Sequence, residues 1–290
     1  MAKIKVVTDS TCNLPVELLR RYDIHVLPIN VQLGQATFQE GVNLDDEYFY
    51  GQVESGVVPK TSVPAAGPFA QVYRELAPGA STILSIHITA RLSGTCQSAS
   101  VGASLVQGGA KVVVYDTASI SLGTGFMVLK AAQMAEGGAG EEEILQTLDF
   151  MKVNTRIYLT TATLKFLQAS GRVGKLQGAL ASLLDVKPII KVEDGLLEAV
   201  EKVRTRRRSL ERLLELTGEA MGRRPVELAV AHARALPEAQ GLCQEAQRRL
   251  NCQEATVHEL VHSLTVHGGP GIVGVISCPA DSPLGLRSGS

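Results

Sequence analysis

The stretch Thr82-Ile83-Leu84-Ser85-Ile86-His87-Ile88-Thr89-Ala90-Arg91-Leu92-Ser93-Gly94-Thr95-Cys96-Gln97-Ser98-Ala99 decides how the rest of the chain is read. Its first seven residues form an apolar run of strand length, and after a Ser-Gly-Thr turn the apolar positions take helical spacing. A strand, a short hydroxyl loop and a helix make the first half of a βαβ unit, which implies parallel strands joined by crossovers. The same alternation recurs outward. Short β-branched runs at 4–7, 24–31 and 111–115 are separated by helical patterns at 15–22, 45–54, 66–76, 94–106 and 122–135. In a parallel sheet, ligands sit beyond the carboxyl ends of the strands. Asp9-Ser10 and Ser93-Gly94-Thr95 both fall at such exits.

The second half has a different rhythm. A strand is expected over 156–161 and helical spacing over 164–184, interrupted at Ser170-Gly171. Glu193-Asp194-Gly195 between the apolar runs 188–192 and 196–203 reads as a hairpin, because Asp-Gly supplies the positive φ angles of a tight turn. Helices at 209–220 and 237–250 then alternate with strands at 226–231, near 256–261 and at 272–277. A hairpin among βα units predicts a mixed sheet. The expected fold is therefore two α/β domains with a site between them: 1–155, mainly parallel, and 156–281, mixed, with 282–290 as a flexible tail.

Composition narrows the class. With 45% apolar and 20% charged residues, the 290-residue chain can bury a substantial core. A formal net charge of −1 gives no field to draw in nucleic acid. No apolar run reaches membrane-span length, and the start lacks the apolar stretch of a signal peptide, so a cytoplasmic location is expected. Cysteines at 12, 96, 243, 252 and 278 form no C-x-x-C pair, which points to reduced thiols rather than disulfides or a metal site.

Three segments concentrate short donors and contain no carboxylate: Lys60-Thr61-Ser62-Val63-Pro64, Leu92-Ser93-Gly94-Thr95-Cys96-Gln97-Ser98-Ala99 and His267-Gly268-Gly269-Pro270-Gly271. Hydroxyls and glycine N–H groups suit a small anion, and the absence of an acid/base pair suits holding it rather than transforming it. Taken singly, Ser93 and Thr95 read equally well as a helix cap. His258-Glu259-Leu260-Val261-His262 matches H-E-x-x-H, which would make a zinc hydrolase the alternative. Alternation favours a strand there, however, and a strand holds the two rings roughly 13 Å apart. Gly269-Pro270-Gly271-Ile272-Val273-Gly274 fits G-x-G-x-x-G but leads into a strand, so it lacks the setting of a dinucleotide site. Lys202-Val203-Arg204-Thr205-Arg206-Arg207-Arg208 is the one basic run, ordinarily a solvated face and otherwise a dock for a phosphate-bearing partner. Arg172, in a Gly-flanked break, could join it, since its fork suits phosphate.

In order and spacing these motifs resemble the DegV family of fatty-acid-binding proteins over roughly residues 3–280. The marks are Thr8-Asp9-Ser10, Thr61-Ser62-x-Pro64, Leu92-Ser93-Gly94-Thr95-x-x-Ser98-Ala99, Asp116-Thr117 with Gly123 and Gly125, Ser170-Gly171-Arg172, Lys187-Pro188-Ile189 and His267-x-Gly269-Pro270-Gly271. Two positions depart from the family pattern: Ala65 stands where Ser or Thr is common, and Gly-Gly-Arg-Ile appears as Ser170-Gly171-Arg172-Val173. The resemblance implies a long-chain fatty acid, such as palmitate, bound between two α/β domains, with no cofactor and no metal. It further implies a lipid-carrying subunit that presents the carboxylate to the separate ATP-binding subunit of a fatty-acid kinase, giving an acyl phosphate, without being an enzyme itself. Carried over by position, Thr61, Ser62, Ser93, Gly94, Thr95, His267 and Gly268 would hold the carboxylate. Arg172 and Arg204 would contact the partner or its phosphate. A serine hydrolase using Ser93 and a plain storage or transport protein are the competing classes.

Overall fold

The computed structural model describes residues 3–106, 108–173 and 186–280. In the first half, β1 (Ile4–Asp9), α1 (Val16–Arg21) and β2 (His25–Leu27) are followed by β3 (Asn30–Leu33), β4 (Ala36–Gln39), α2 (Asp46–Glu54) and β5 (Lys60–Ser62). Then come α3 (Ala66–Leu76), β6 (Thr82–His87), α4 (Thr95–Ser104), β7 (Lys111–Asp116), α5 (Leu122–Glu136) and α6 (Glu141–Asn154). The second half runs β8 (Arg156–Thr160), α7 (Lys165–Ser170), β9 (Lys187–Glu193), β10 (Leu196–Val203), α8 (Arg206–Met221), β11 (Val226–His232), α9 (Leu236–Arg249), β12 (Cys252–Glu259), α10 (His262–Gly268) and β13 (Val273–Pro279).

Two α/β regions result. Strands β2-β1-β6-β7 form an all-parallel sheet, and β10-β9-β8-β13-β11-β12 form a mixed one in which only β11 and β12 pair in parallel. The first sheet is covered on both faces. Phe69 and Tyr73 of α3 and Ala99 of α4 pack on one side, and α5 and α6 on the other. That explains why every residue of β6 is buried and why its sequence runs apolar without alternation. The mixed sheet packs Leu213, Leu214, Ala239 and Leu242 of α8 and α9 against Val273 and Val275 on its outer face. Its inner face, with Ile157, Leu159, Ile190, Leu197 and Ile276, looks toward the first region.

Several expectations need amendment. A third, antiparallel sheet, β4-β3-β5, comes from residues read as one long strand and a loop, so Thr61 and Ser62 lie on a strand. Helix α6, a segment given no element from its spacing, carries three glutamates in its first turn, a favourable arrangement at a helix N-terminus. His267 lies in the last turn of α10 rather than in a loop. The hairpin is as expected: Asp194 and Gly195 both have positive φ (49° and 76°), and β9 and β10 pair antiparallel around them. The rest of the 164–184 helical pattern after Val173, and the 282–290 tail, lie outside the described residues.

Candidate functional site

The loops that leave β2, β1, β6 and β7 at their carboxyl ends carry Ile29, Thr11, Ile88 with Ser93, and Ile120 with Ser121. Together they make the roof of a cavity whose floor is the inner face of the mixed sheet: Ile157, Leu159, Leu197, Ala231, Gly274 and Ile276. Val63 beyond β5, Leu167 of α7, and Leu264 with His267 of α10 complete the walls. The empty space is about 1080 Å³ with the open mouth included. Its lining is mainly aliphatic. Among the described residues no carboxylate lines it, and Arg172 is its one cationic side chain.

The donors gather around His267 and the loop after β6. The Nε2 of His267 lies 3.1 Å from Thr61 Oγ1, which ties α10 to β5. Its Nδ1 has no hydrogen-bond partner among the described residues. Burial, and then the positive charge of Arg172, push the imidazole down to about 4, so the ring is neutral near pH 7. Ser93 Oγ lies 2.8 Å from Thr95 Oγ1 and accepts from the Thr95 N–H at 3.3 Å. Arg172 donates to the Ser170 carbonyl at 2.7 Å, which fixes the guanidinium at the cavity wall.

Of the residues singled out from sequence, Thr61, Ser62, Ser93, His267, Gly268 and Arg172 all line this cavity. Gly94 and Thr95 do not. Gly94 is the exposed residue before α4, and Thr95 is fully buried behind Ser93 as its hydrogen-bond partner. Arg204 is exposed between β10 and α8, away from the cavity lining. Its neighbours in the basic run are matched by carboxylates. Arg206 pairs with Glu238, Arg207 with Glu211, and Arg208 with Glu211 and Glu215. Arg206 thereby ties α8 to α9, while Arg207 and Arg208 pair within α8 itself.

The H-E-x-x-H reading is overturned by how these side chains are engaged. His258 and Glu259 lie on β12, whereas His262 opens α10. His258 bonds to Thr256, His262 to Asp46, and Glu259 to His232 and Tyr50. No group of three potential metal ligands occurs among the described residues. The serine-hydrolase arrangement also lacks its base, because His267 meets Thr61 while Ser93 meets Thr95. An Asp9–His87–Ser85–Tyr73 chain does exist, with contacts of 2.8, 2.7 and 2.7 Å. All four side chains are sealed inside the parallel sheet and its helix, where they hold strands together and touch no open space.

Sequence reasoning missed the brace behind the site. Glu40, just after β4, is buried and accepts from Ser10 Oγ at 2.5 Å, Ser263 N at 2.5 Å and Ser263 Oγ at 2.7 Å. It thereby joins β1, the small sheet and the start of α10, and burial raises its pKa. Asn13 adds a second tie, donating to the Glu259 carbonyl at 3.0 Å and accepting from Val261 N at 2.9 Å. A lone glutamate 223 residues from its partner leaves no local trace in the sequence. The motif carboxylates near the site also organise loops. Asp9 accepts from Thr11 N, and Asp116 from Ala90 N and Ala118 N.

No helix among the described residues is long and apolar enough to cross a membrane. All five cysteines are free thiols. Comparison with known proteins places this geometry in context. A protein DegV of Bacillus subtilis is 33% identical over 278 residues, covering 95% of this chain and 99% of that protein. A DegV domain-containing protein of Streptomyces coelicolor is 34% identical, covering 94% and 97%. A solved structure described as fatty acid binding of a DegV family protein from Thermus thermophilus superposes with a TM-score of 0.91 at 34% identity, covering 96% of this chain and all of that one. DegV of Bacillus subtilis, described as a fatty acid binding protein, superposes with a TM-score of 0.87 at 32% identity over the same 96% of this chain and all of its own. The model of the DegV family, described as uncharacterised proteins, matches residues 3–280, and the chain belongs to that family.

Proposed function

We propose that this protein binds one long-chain fatty acid in the cavity between its two α/β regions and presents the carboxylate to a partner kinase. The observation that carries the reading is the lining. Among the described residues it is an aliphatic cavity without a carboxylate, with hydroxyls, a neutral imidazole and one arginine grouped along the walls from β5, the β6 exit, α7 and α10. Such a surface rewards an apolar tail and an anionic head together. Fourteen methylenes at about 0.8 kcal/mol each give roughly 11 kcal/mol of gross burial, before ordering and association costs. Hydrogen bonds to a charged group add about 1.5–3 kcal/mol each and fix which end faces the opening. The tail supplies the affinity, and the donors supply the orientation.

On this reading Thr61, Ser62, Ser93, His267 and Gly268 hold the carboxylate directly. Thr95 orients Ser93, and Gly94 offers its N–H at the rim. Arg172 and the exposed Arg204 meet the kinase subunit or its phosphate. Residues 1–155 and 156–281 are the two domains whose junction holds the lipid, and the protein works in the cytoplasm as a carrier rather than as an enzyme. Fatty-acid binding in the related structures of Thermus thermophilus and Bacillus subtilis supports the ligand class. Native mass spectrometry of freshly purified protein, followed by solvent extraction, is the test. An added mass matching a C14–C18 acid is expected. Protein without such a mass that also takes up no added palmitate would refute the reading. The Arg204→Glu variant should slow acyl phosphate formation by a kinase subunit without reducing palmitate binding, and an unchanged rate would remove Arg204 from the docking role.

A further inference from the structure

Strand β13 lies near the centre of the mixed sheet, between β8 and β11, and is buried along its whole length. Its side chains alternate, as a strand requires. Val273 and Val275 enter the outer core, while Ile272 and Ile276 enter the inner one. Gly274 shares the inner face with those isoleucines and forms part of the cavity wall.

A glycine in a buried central strand weakens it and usually answers to a positive φ or a close approach of neighbouring atoms. The first does not apply here, and the second applies only sideways, toward the adjoining strand, where a Cβ would sit tightly against Leu159, and not toward the cavity. Gly274 is not among the residues with positive φ. A Cβ placed on it would lie 3.3 Å from Leu159 Cβ and 3.6 Å from the Tyr158 carbonyl oxygen, both on the adjoining strand, with nothing else among the described residues within 4 Å. By contrast, a Cβ on Gly268 would strike Ile272 Cδ1 at 2.4 Å, and one on Gly269 would strike Phe166 Cδ2 at 2.3 Å. Packing accounts for those two glycines. On the cavity side of Gly274 no described residue fills the space.

The pairing register extends this gap sideways. Ala231 on β11 is the direct partner of Gly274 on one side, and Leu159 on β8 is its partner on the other. All three border the cavity, and two of them contribute one side-chain carbon or none. Two positions earlier, Ile272 packs beside Gly268, next to the donor group of His267. Two positions later, about 7 Å along the strand, Ile276 pairs with Ile157 and restores bulk. A tail whose head lies at His267 therefore crosses the Gly274–Ala231 row before it reaches the isoleucines.

We infer that Gly274 and Ala231 are specificity-determining residues that set how long an acyl tail the cavity accepts. The inference rests on the reading of the cavity as a fatty-acid site. Each methylene kept out of the cavity weakens binding about fourfold. A valine at 274 that displaces two or three methylenes should lower palmitate affinity about fifteenfold to sixtyfold while sparing decanoate.

The test uses delipidated full-length protein, wild type and the variants Gly274→Ala, Gly274→Val and Ala231→Val, titrated with decanoic, lauric, palmitic and stearic acids. Thermal melts establish that each variant folds, and Gly274→Ala and Ala231→Val keep the question answerable if the larger substitution does not. In wild type, affinity should climb with chain length through palmitate. In Gly274→Val it should level off soon after laurate, with decanoate and laurate little changed and palmitate well below wild type, and the other two variants between. An unchanged length profile in folded variants, or an equal loss at every chain length, overturns the inference. Wild-type protein that binds none of the four acids would instead refute the fatty-acid reading itself.

Discussion

The neutral state of His267 yields a stability prediction with a definite sign. Burial first, and then Arg172, lower its pKa from 6.5 to about 4 in the folded protein. In the unfolded chain the ring regains an ordinary value near 6.5. Between these limits the unfolded state takes up a proton that the folded state refuses, so stability falls as pH is lowered and recovers as it is raised. A difference of about 2.5 pH units at 1.36 kcal/mol each, mostly expressed between pH 7 and pH 4.5, amounts to roughly 2 kcal/mol once partial exposure is discounted. Glu40 contributes with the opposite sign, because burial raises its pKa. The measurement is therefore a difference. Delipidated wild type and His267→Gln are unfolded in urea at pH 7.0, 5.5 and 4.5, and the loss of stability in the variant is subtracted from that in wild type. Wild type should lose about 2 kcal/mol more than the variant. Equal losses would mean that His267 does not resist protonation. A smaller loss in wild type would mean that the ring is charged in the fold, and the head-group site would then be cationic rather than built on neutral donors.

If Thr61 and Ser93 hold the carboxylate as proposed, Thr61→Ala and Ser93→Ala should each weaken palmitate binding about tenfold by calorimetry, the loss of one hydrogen bond to a charge, while the melting temperature stays within a few degrees. Unchanged affinity in both would discard the head-group assignment. Glu40→Ala leaves Ser10, Ser263 Oγ and Ser263 N without their shared acceptor and should cost about 3 kcal/mol in denaturant unfolding, with Glu40→Gln recovering part of it. A loss below about 1 kcal/mol would show that the brace does not hold α10. Gly195→Ala places a Cβ 2.1 Å from Thr89 Oγ1 at a residue with φ of +76°, so the hairpin tip must lift from its seat. The melting temperature should fall by several degrees, and no fall would mean the tip is not docked.

The sequence was most legible where structure is set by neighbours in the chain. The buried run 82–88, followed by Ser93-Gly94-Thr95, could only be a parallel strand feeding a helix, and the Asp194-Gly195 turn announced its hairpin. Order and spacing of the hydroxyl motifs gave the family, and six of the nine residues singled out for the site do border one cavity. Periodicity went wrong where segments were short. Strands β3, β4 and β5 have three or four residues each, too few for a pattern, and what stabilises them is pairing with one another and packing against α2 and α10. The H-E-x-x-H match failed for a related reason: a turn between β12 and α10 splits the motif, which only the three-dimensional path of the chain reveals.

Local sequence, then, determined the parallel strands, their crossover helices, the hairpin and the supply of neutral donors, because each depends on residues within a turn or two of one another. Tertiary structure alone decided that Thr61 meets His267 across 206 residues, that Glu40 braces α10, and that Gly274 and Ala231 lie side by side on the cavity floor. Those outcomes depend on which strands pair, in what register, and which sheet face meets which loop. They are fixed by the burial of the whole chain, and no short window of residues contains them.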